Sequence, residues 1–162
     1  MSRVYLIRHA RPSASWGGDD DDPGLDQLGK TQAEAAAKAL LALPQAARPT
    51  RVVSSPLRRC QETAAPTIEL QHLPLTIVED VKEIYLADAV PVEHDRENDD
   101  LVALSKALTN RQIEIVRTVS GSGSWDSLRT SEPSTAFRQR VVTAIDGIAQ
   151  QHIGDRVLIF AH

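Results

Sequence analysis

In Val4-Tyr5-Leu6-Ile7-Arg8-His9-Ala10, four apolar residues run without a break and stop at a cation and an imidazole. A short continuous run of this kind, rich in residues that favour strands, reads as a buried parallel strand. Ligands of open α/β sheets sit beyond the carboxyl ends of the strands, which is where Arg8 and His9 fall. The pattern recurs twice. Arg51-Val52-Val53 leads into Ser54-Ser55-Pro56-Leu57-Arg58-Arg59, and Arg156-Val157-Leu158-Ile159-Phe160 leads into Ala161-His162. If the three runs are neighbouring parallel strands, their charged and protonatable ends converge on one rim. Two imidazoles and several guanidiniums together suit a phosphate-like anion, because guanidinium forks match its oxygens. The predicted fold is α/β: a three-layer sandwich with a mostly parallel central sheet and helices on both faces.

The 162 residues suit one domain with a sizeable core. A net charge of −4 gives no basic footprint for nucleic acid, so a phosphate site here must be locally positive on an acidic protein. The single cysteine excludes an intrachain disulfide and agrees with a reducing cytoplasm, the expected location. No apolar stretch approaches the ~20 residues of a membrane span, and the chain enters its first strand too soon for a signal peptide. The expected partner is a small phosphorylated substrate, with neither nucleic acid nor membrane; nothing in the sequence sets the oligomeric state.

Between the strands, Gly and Pro content makes residues 10–22 a loop. Its run Asp19-Asp20-Asp21-Asp22 invites a calcium reading, but the EF-hand position that needs a glutamate is Lys30, so a solvated acidic loop is expected. Arg11 either touches substrate or faces water. Asp26 can cap a helix running to about Leu43, where Pro44 stops it. Gly29 costs that helix stability, which close backbone approach would explain. Ser55-Pro56 has a helix-start pattern, serine as cap and proline first. Arg59, or its neighbour Arg58, then lies near the positive end of the helix, a place that suits a cation only if an anion binds there. Pro66 is expected to kink or end this helix. Cys60 would be the nucleophile of a cysteine phosphatase only with an arginine six residues on; that residue is Pro66, so Cys60 reads as a small buried side chain. Leu75 to Val78 reads as a strand. Leu101, Leu104 and Leu108 have helical spacing, within one or two helices from Asn98 to about Val119. Gly121 to Ser124 reads as a mobile loop, and Trp125 either lines a pocket or fills a core gap. Ser134 is the expected cap of a helix that carries Phe137, Val141, Ile145 and Ile148 on one face. His72, His94 and His152 read as surface histidines.

Several of these stretches carry a family resemblance. Leu6-Ile7-Arg8-His9-Ala10 resembles the Arg-His-Gly signature of the histidine phosphatase (phosphoglycerate mutase-like) superfamily. The stretch from Pro23 to Ala33 is similar to its Leu-Thr-x-x-Gly-x-x-Gln-Ala segment, and Ser55 to Ala64 to its Ser-Pro-Leu-x-Arg-Ala-x-x-Thr-Ala helix start. Asp80-Val81-Lys82-Glu83-Ile84 resembles its Leu-x-Glu-Ile segment, and Val157 to His162 the strand that carries its second histidine. The order is the family's, over nearly the whole chain, with a weak middle from about Leu86 to Pro133. The family spacing selects Arg59 over Arg58 and brings Glu83 into the site. Where the family often continues with Gly-x-Trp-x-Gly, this chain has Leu86-Ala87-Asp88-Ala89-Val90, which leaves Asp88 and Glu93 as rival carboxylates.

The resemblance implies one domain with a helical cap insertion at about 86–133, and phosphoryl transfer through a covalent phosphohistidine. His9 would be the nucleophile. Arg8, Arg59 and His162 would hold the phosphate oxygens, and Glu83 would serve as general acid and then base. No metal or other cofactor is needed, since guanidiniums supply a metal's electrostatic task. A phosphomonoesterase is the expected activity. A phosphoglycerate mutase-type phosphotransferase and a non-catalytic phosphate-binding module are the alternatives. Family members continue past the second histidine with glycine and a helix. The natural protein is therefore expected either to run on past His162 or to hold that residue poorly.

Overall fold

In a computed structural model of the chain, which describes residues 2–13, 22–84, 113, 115–127 and 132–162, four strands form one parallel sheet. They are β1 (Arg3–Arg8), β2 (Arg51–Ser54), β3 (Leu75–Ile77) and β4 (Arg156–Ala161), in the order β1-β4-β2-β3. Val157, Leu158, Ile159 and Phe160 are all fully buried, because β4 is flanked by strands on both sides and covered on both faces. Each such side chain contributes about 1.5–3 kcal/mol of burial, so this run is the anchor of the core.

The two faces carry separate clusters. On one, Val52, Leu158 and Phe160 pack with Cys60 and Ala64 of helix α2 (Arg58–Gln71) and with Leu40 of helix α1 (Gln27–Ala42). On the other, Val53, Val157 and Ile159 pack with Ala144, Ile145 and Ile148 of helix α3 (Ser134–Gln151). Three layers with helices on both faces follow directly.

The chain divides into two compact units, Met1–Glu83 with Gln139–His162, and Ile84–Arg138. In the second, residues 115–122 are helical and Gly123 takes φ +67° just after them. Gly121 and Ser122 therefore end a helix, where a loop was expected. Trp125 packs edge-on against Phe137, ring centroids 5.0 Å apart, which is packing within the unit. Ser134 is the first residue of α3 and does not cap it; its backbone N–H donates to Asp126 Oδ1 at 2.6 Å. Asp88, Glu93, His94, the leucines at 101, 104 and 108, and Asp19 to Asp21 lie outside the described residues. Among the described residues no helix is long and apolar enough to cross a membrane.

Three more expectations meet a different outcome. β1 is parallel but not buried: it pairs only with β4 among the described residues, and Leu6 is 64 % exposed. An apolar run serves an edge as well as a centre, and the run alone does not say which. Pro66 neither ends nor breaks α2, which continues to Gln71. The carbonyl that Pro66 leaves without its helical donor is that of Glu62, four residues back on a half-exposed face. Finally, α2 begins at Arg58 with Leu57 as its cap residue, so Ser55 and Pro56 precede the helix.

Asp26 caps α1 as its sequence suggests, accepting from Gly29 N–H at 2.7 Å. Gly29 has a further reason to lack a side chain. A Cβ there would stand 2.1 Å from the carbonyl oxygen of Arg11, a backbone atom that cannot swing aside. Helix propensity alone makes Gly29→Ala stabilising by roughly 1 kcal/mol. The close approach predicts the reverse, a loss of about 2 kcal/mol or more from overpacking. A urea melt of the two proteins reads the sign; a stabilised variant contradicts the packing account.

Candidate active site

The hydrogen-bond ladder runs one residue past the carboxyl ends of the strands. His9 N–H donates to Ala161 O at 2.9 Å, and Ser55 N–H donates to Phe160 O at 2.9 Å. His9, Ser55 and His162 are thereby fixed side by side on one rim. The His9 and His162 rings lie 5.4 Å apart, centroid to centroid.

His9 Nδ1 is 2.8 Å from Ala10 O. A carbonyl only accepts, so Nδ1 carries the proton of this bond, and in the neutral ring Nε2 keeps the lone pair. Burial holds the His9 pKa below its ordinary 6.5, and the positive charges of Arg59, His162 and Arg8 add to that effect against the Ala10 carbonyl. A neutral imidazole with one free nitrogen is what a nucleophile requires.

Arg59 lies in the first turn of α2 and is nearly buried, its side chain 8 % exposed. Its Nη2 donates to Glu83 Oε2 at 2.6 Å and stands 3.2 Å from His162 Nδ1. Glu83 Oε2 is 3.4 Å from the same His162 nitrogen. Burial alone would push the Glu83 pKa up, but the His162 and Arg59 contacts outweigh it and hold the carboxyl below its ordinary 4.5. Arg59, Glu83 and His162 thus form one cluster with His9 beside it. Arg8 ends β1 on the same rim with an exposed side chain and acts on His9 through its charge. Arg58, the adjacent alternative, points away: its Nε donates to Glu62 at 2.7 Å and its side chain is 62 % exposed. Arg11 takes the solvent-facing alternative: its side chain is 59 % exposed, and its Nε donates to the capping carboxylate of Asp26.

Cys60 is fully buried, and burial pushes its thiol up to about 12. It stays protonated and donates to Ala161 O at 3.4 Å, which agrees with a packing role.

Two contributors escape a reading of the sequence. Ser55 Oγ lies 2.9 Å from His162 Nε2, so the serine that looks like a helix cap orients the second histidine. Thr63 Oγ1 donates to Arg59 O at 2.6 Å and accepts from Ala10 N–H at 2.9 Å, tying α2 to the residue after His9. The one local signal for Thr63 is its place four residues after Arg59, one helical turn on. Ser55→Ala leaves a buried ring nitrogen without its oxygen partner, at a cost of about 1–3 kcal/mol. We expect kcat/KM for a phosphate ester to fall roughly tenfold, the rate equivalent of 1.4 kcal/mol. A variant that loses thermal stability at unchanged kcat/KM shows that the Ser55 hydroxyl serves packing alone.

With this geometry in hand, comparison with known proteins decides the family. The model of the histidine phosphatase superfamily (branch 1) matches residues 4–162. The chain belongs to this superfamily. Solved structures share the fold. An alpha-ribazole phosphatase from Shigella flexneri aligns with TM-score 0.65 and 22% identity over 99% of this chain and 73% of its own. A mycobacterial glucosyl-3-phosphoglycerate phosphatase gives 0.64 and 22% over 97% and 72%. A phosphoserine phosphatase from Entamoeba histolytica, solved with 3-phosphoglyceric acid, gives 0.68 and 18% over 100% and 74%. No curated protein sequence matches the chain significantly.

Proposed function

We propose that this histidine phosphatase superfamily member hydrolyses phosphate monoesters through a phosphohistidine at His9. The observation that carries the reading is the Nδ1 bond of His9 to Ala10 O, which leaves Nε2 as the attacking atom beside Arg59 and His162. The structurally similar proteins named above are phosphatases by name, which supports the class without naming a substrate.

In the first step Nε2 forms a bond to phosphorus as the ester P–O bond breaks. Arg59, Arg8 and His162 stabilise the charge spread over the equatorial oxygens. Arg59 Nε is buried and finds no hydrogen-bond partner among the described residues, a donor that an arriving oxygen would satisfy. Glu83 gives its proton to the leaving alkoxide. In the second step Glu83 takes a proton from water, which attacks phosphorus and releases phosphate from His9.

Glu83 is ionised in the free site, yet its first task requires a proton. An entering phosphate competes for Arg59, and its negative charge raises the Glu83 pKa. In the free enzyme His9 must be neutral, and its pKa, lowered from 6.5, extends the neutral form to the acid side of that value. Glu83 must be protonated, and its pKa, lowered from 4.5, makes that form the minority already at pH 4.5 and rarer as pH rises. With an aryl phosphate, we expect kcat/KM to peak on the acid side of pH 6.5 and to fall above it. Glu83→Gln should remove much of the activity toward esters with poor leaving groups. An enzyme that turns over none of these esters but converts 3-phosphoglycerate would be a mutase, and one that binds phosphate without turnover a binding module.

A further inference from the structure

We infer that Asp22 is a positioning residue that holds Arg59 at the phosphate site, an inference that rests on the reading of the site given above. Its starting point is the N-terminus of α2. Leu57 offers this helix no side-chain cap. The donor left over at Arg58 is taken up from elsewhere in the chain: Arg58 N–H donates to both oxygens of the Asp22 carboxylate, at 2.9 and 3.0 Å. The same carboxylate stands 3.7 Å from Arg59 Nη1. The last aspartate of the acidic run is therefore seated at the positive end of the helix, where a carboxylate is favoured, and beside the phosphate-binding guanidinium.

Neighbouring contacts show that the segment from Asp22 to Leu25 is laid along α2. Leu25 N–H donates to Glu62 Oε2 at 2.6 Å. A Cβ on Gly24 would meet both Glu62 oxygens and Arg58 Nε within 3 Å. The segment is in turn paired with the residues that follow His9, through Ser13 N–H to Gly24 O at 2.7 Å and Asp26 N–H to Arg11 O at 3.2 Å. Asp22 thus joins the loop that leaves the nucleophile to the helix that carries Arg59.

The charge has its own task. Arg59 lies between two carboxylates, Glu83 on Nη2 and Asp22 near Nη1. The catalytic cycle needs Glu83 to let go of Nη2 when it takes up a proton. Asp22, fixed on the helix backbone, holds the opposite side of the guanidinium through that change, so Nη2 stays aimed at the phosphate oxygens. A neutral amide at position 22 keeps an oxygen for Arg58 N–H but no charge for Arg59.

The test compares wild type, Asp22→Asn and Asp22→Ala. It measures thermal stability, kcat and KM for an aryl phosphate, and inhibition by inorganic phosphate. Asp22→Ala should lower the Tm and raise both KM and the phosphate inhibition constant about tenfold. Asp22→Asn should recover the Tm but leave KM and the inhibition constant raised. Unchanged constants in both variants overturn the inference. So does tighter phosphate binding, which would make Asp22 a competitor of substrate, and so does full recovery by asparagine, which would make it a cap alone. A wild type that hydrolyses no ester refutes the functional reading, and phosphate binding to the three proteins, followed by calorimetry, still decides the role of Asp22.

Discussion

Replacing His9 with alanine is expected to lower kcat for an aryl phosphate by roughly 10⁴-fold or more, the scale on which removal of a nucleophile abolishes covalent catalysis. The remaining groups are expected to go on binding phosphate. Arg59, Glu83 and His162 contact one another without using the His9 ring, so the proposed anion site should survive the truncation. Fold loss is not a competing explanation. The His9 backbone bond to Ala161 O is untouched, and the one hydrogen bond the ring makes among the described residues goes to the neighbouring Ala10 carbonyl. A far-UV spectrum and a melt close to wild type, with phosphate binding retained and turnover gone, is the expected combination. Turnover within a few-fold of wild type would remove His9 from the chemistry.

Arg59→Ala should cost about 10²–10³ in kcat/KM, the scale measured for removing one fixed donor from a developing charge. Arg58→Ala should stay within a few-fold. The two residues are adjacent, but on a helix they project about 100° apart, as 3.6 residues per turn requires. One side chain is buried between Glu83 and His162, whereas the other makes an exposed pair with Glu62, worth about 0.3–0.5 kcal/mol. Removing Arg59 also strips Glu83 of its main positive neighbour besides His162, so the pKa of that carboxyl should rise and the pH optimum move up. Equal losses for the two variants would mean that the helix is in another register.

The sequence made the middle of the sheet legible. Val157 to Phe160 is apolar without a break, and a strand covered on both faces needs that and nothing else. Asp26 as a cap and Gly29 as a close-approach residue were equally plain, because their signals are local. The edge position of β1 was not, since an exposed Leu6 looks no different in sequence from a buried one. Ser55 misleads for a physical reason. Serine before proline is a good helix start by local rules, but its hydroxyl finds a stronger use on a histidine 107 residues away. Asp22 is similar: within a run of like charges it reads as solvated, and only the folded chain brings it to α2. Glu83 has no local pattern at all. Family resemblance alone points to it, and in the fold it stands 2.6 Å from Arg59.

Trapping phosphate on His9 would test the proposed phosphohistidine without relying on any variant. Wild type would be mixed with a ³²P-labelled monoester, denatured in alkali during turnover, digested and mapped. Label is expected on the peptide that contains His9, stable in alkali and released in acid as a phosphoramidate is, and absent from His9→Ala. Steady turnover with no trapped label, or label on another residue, would contradict it.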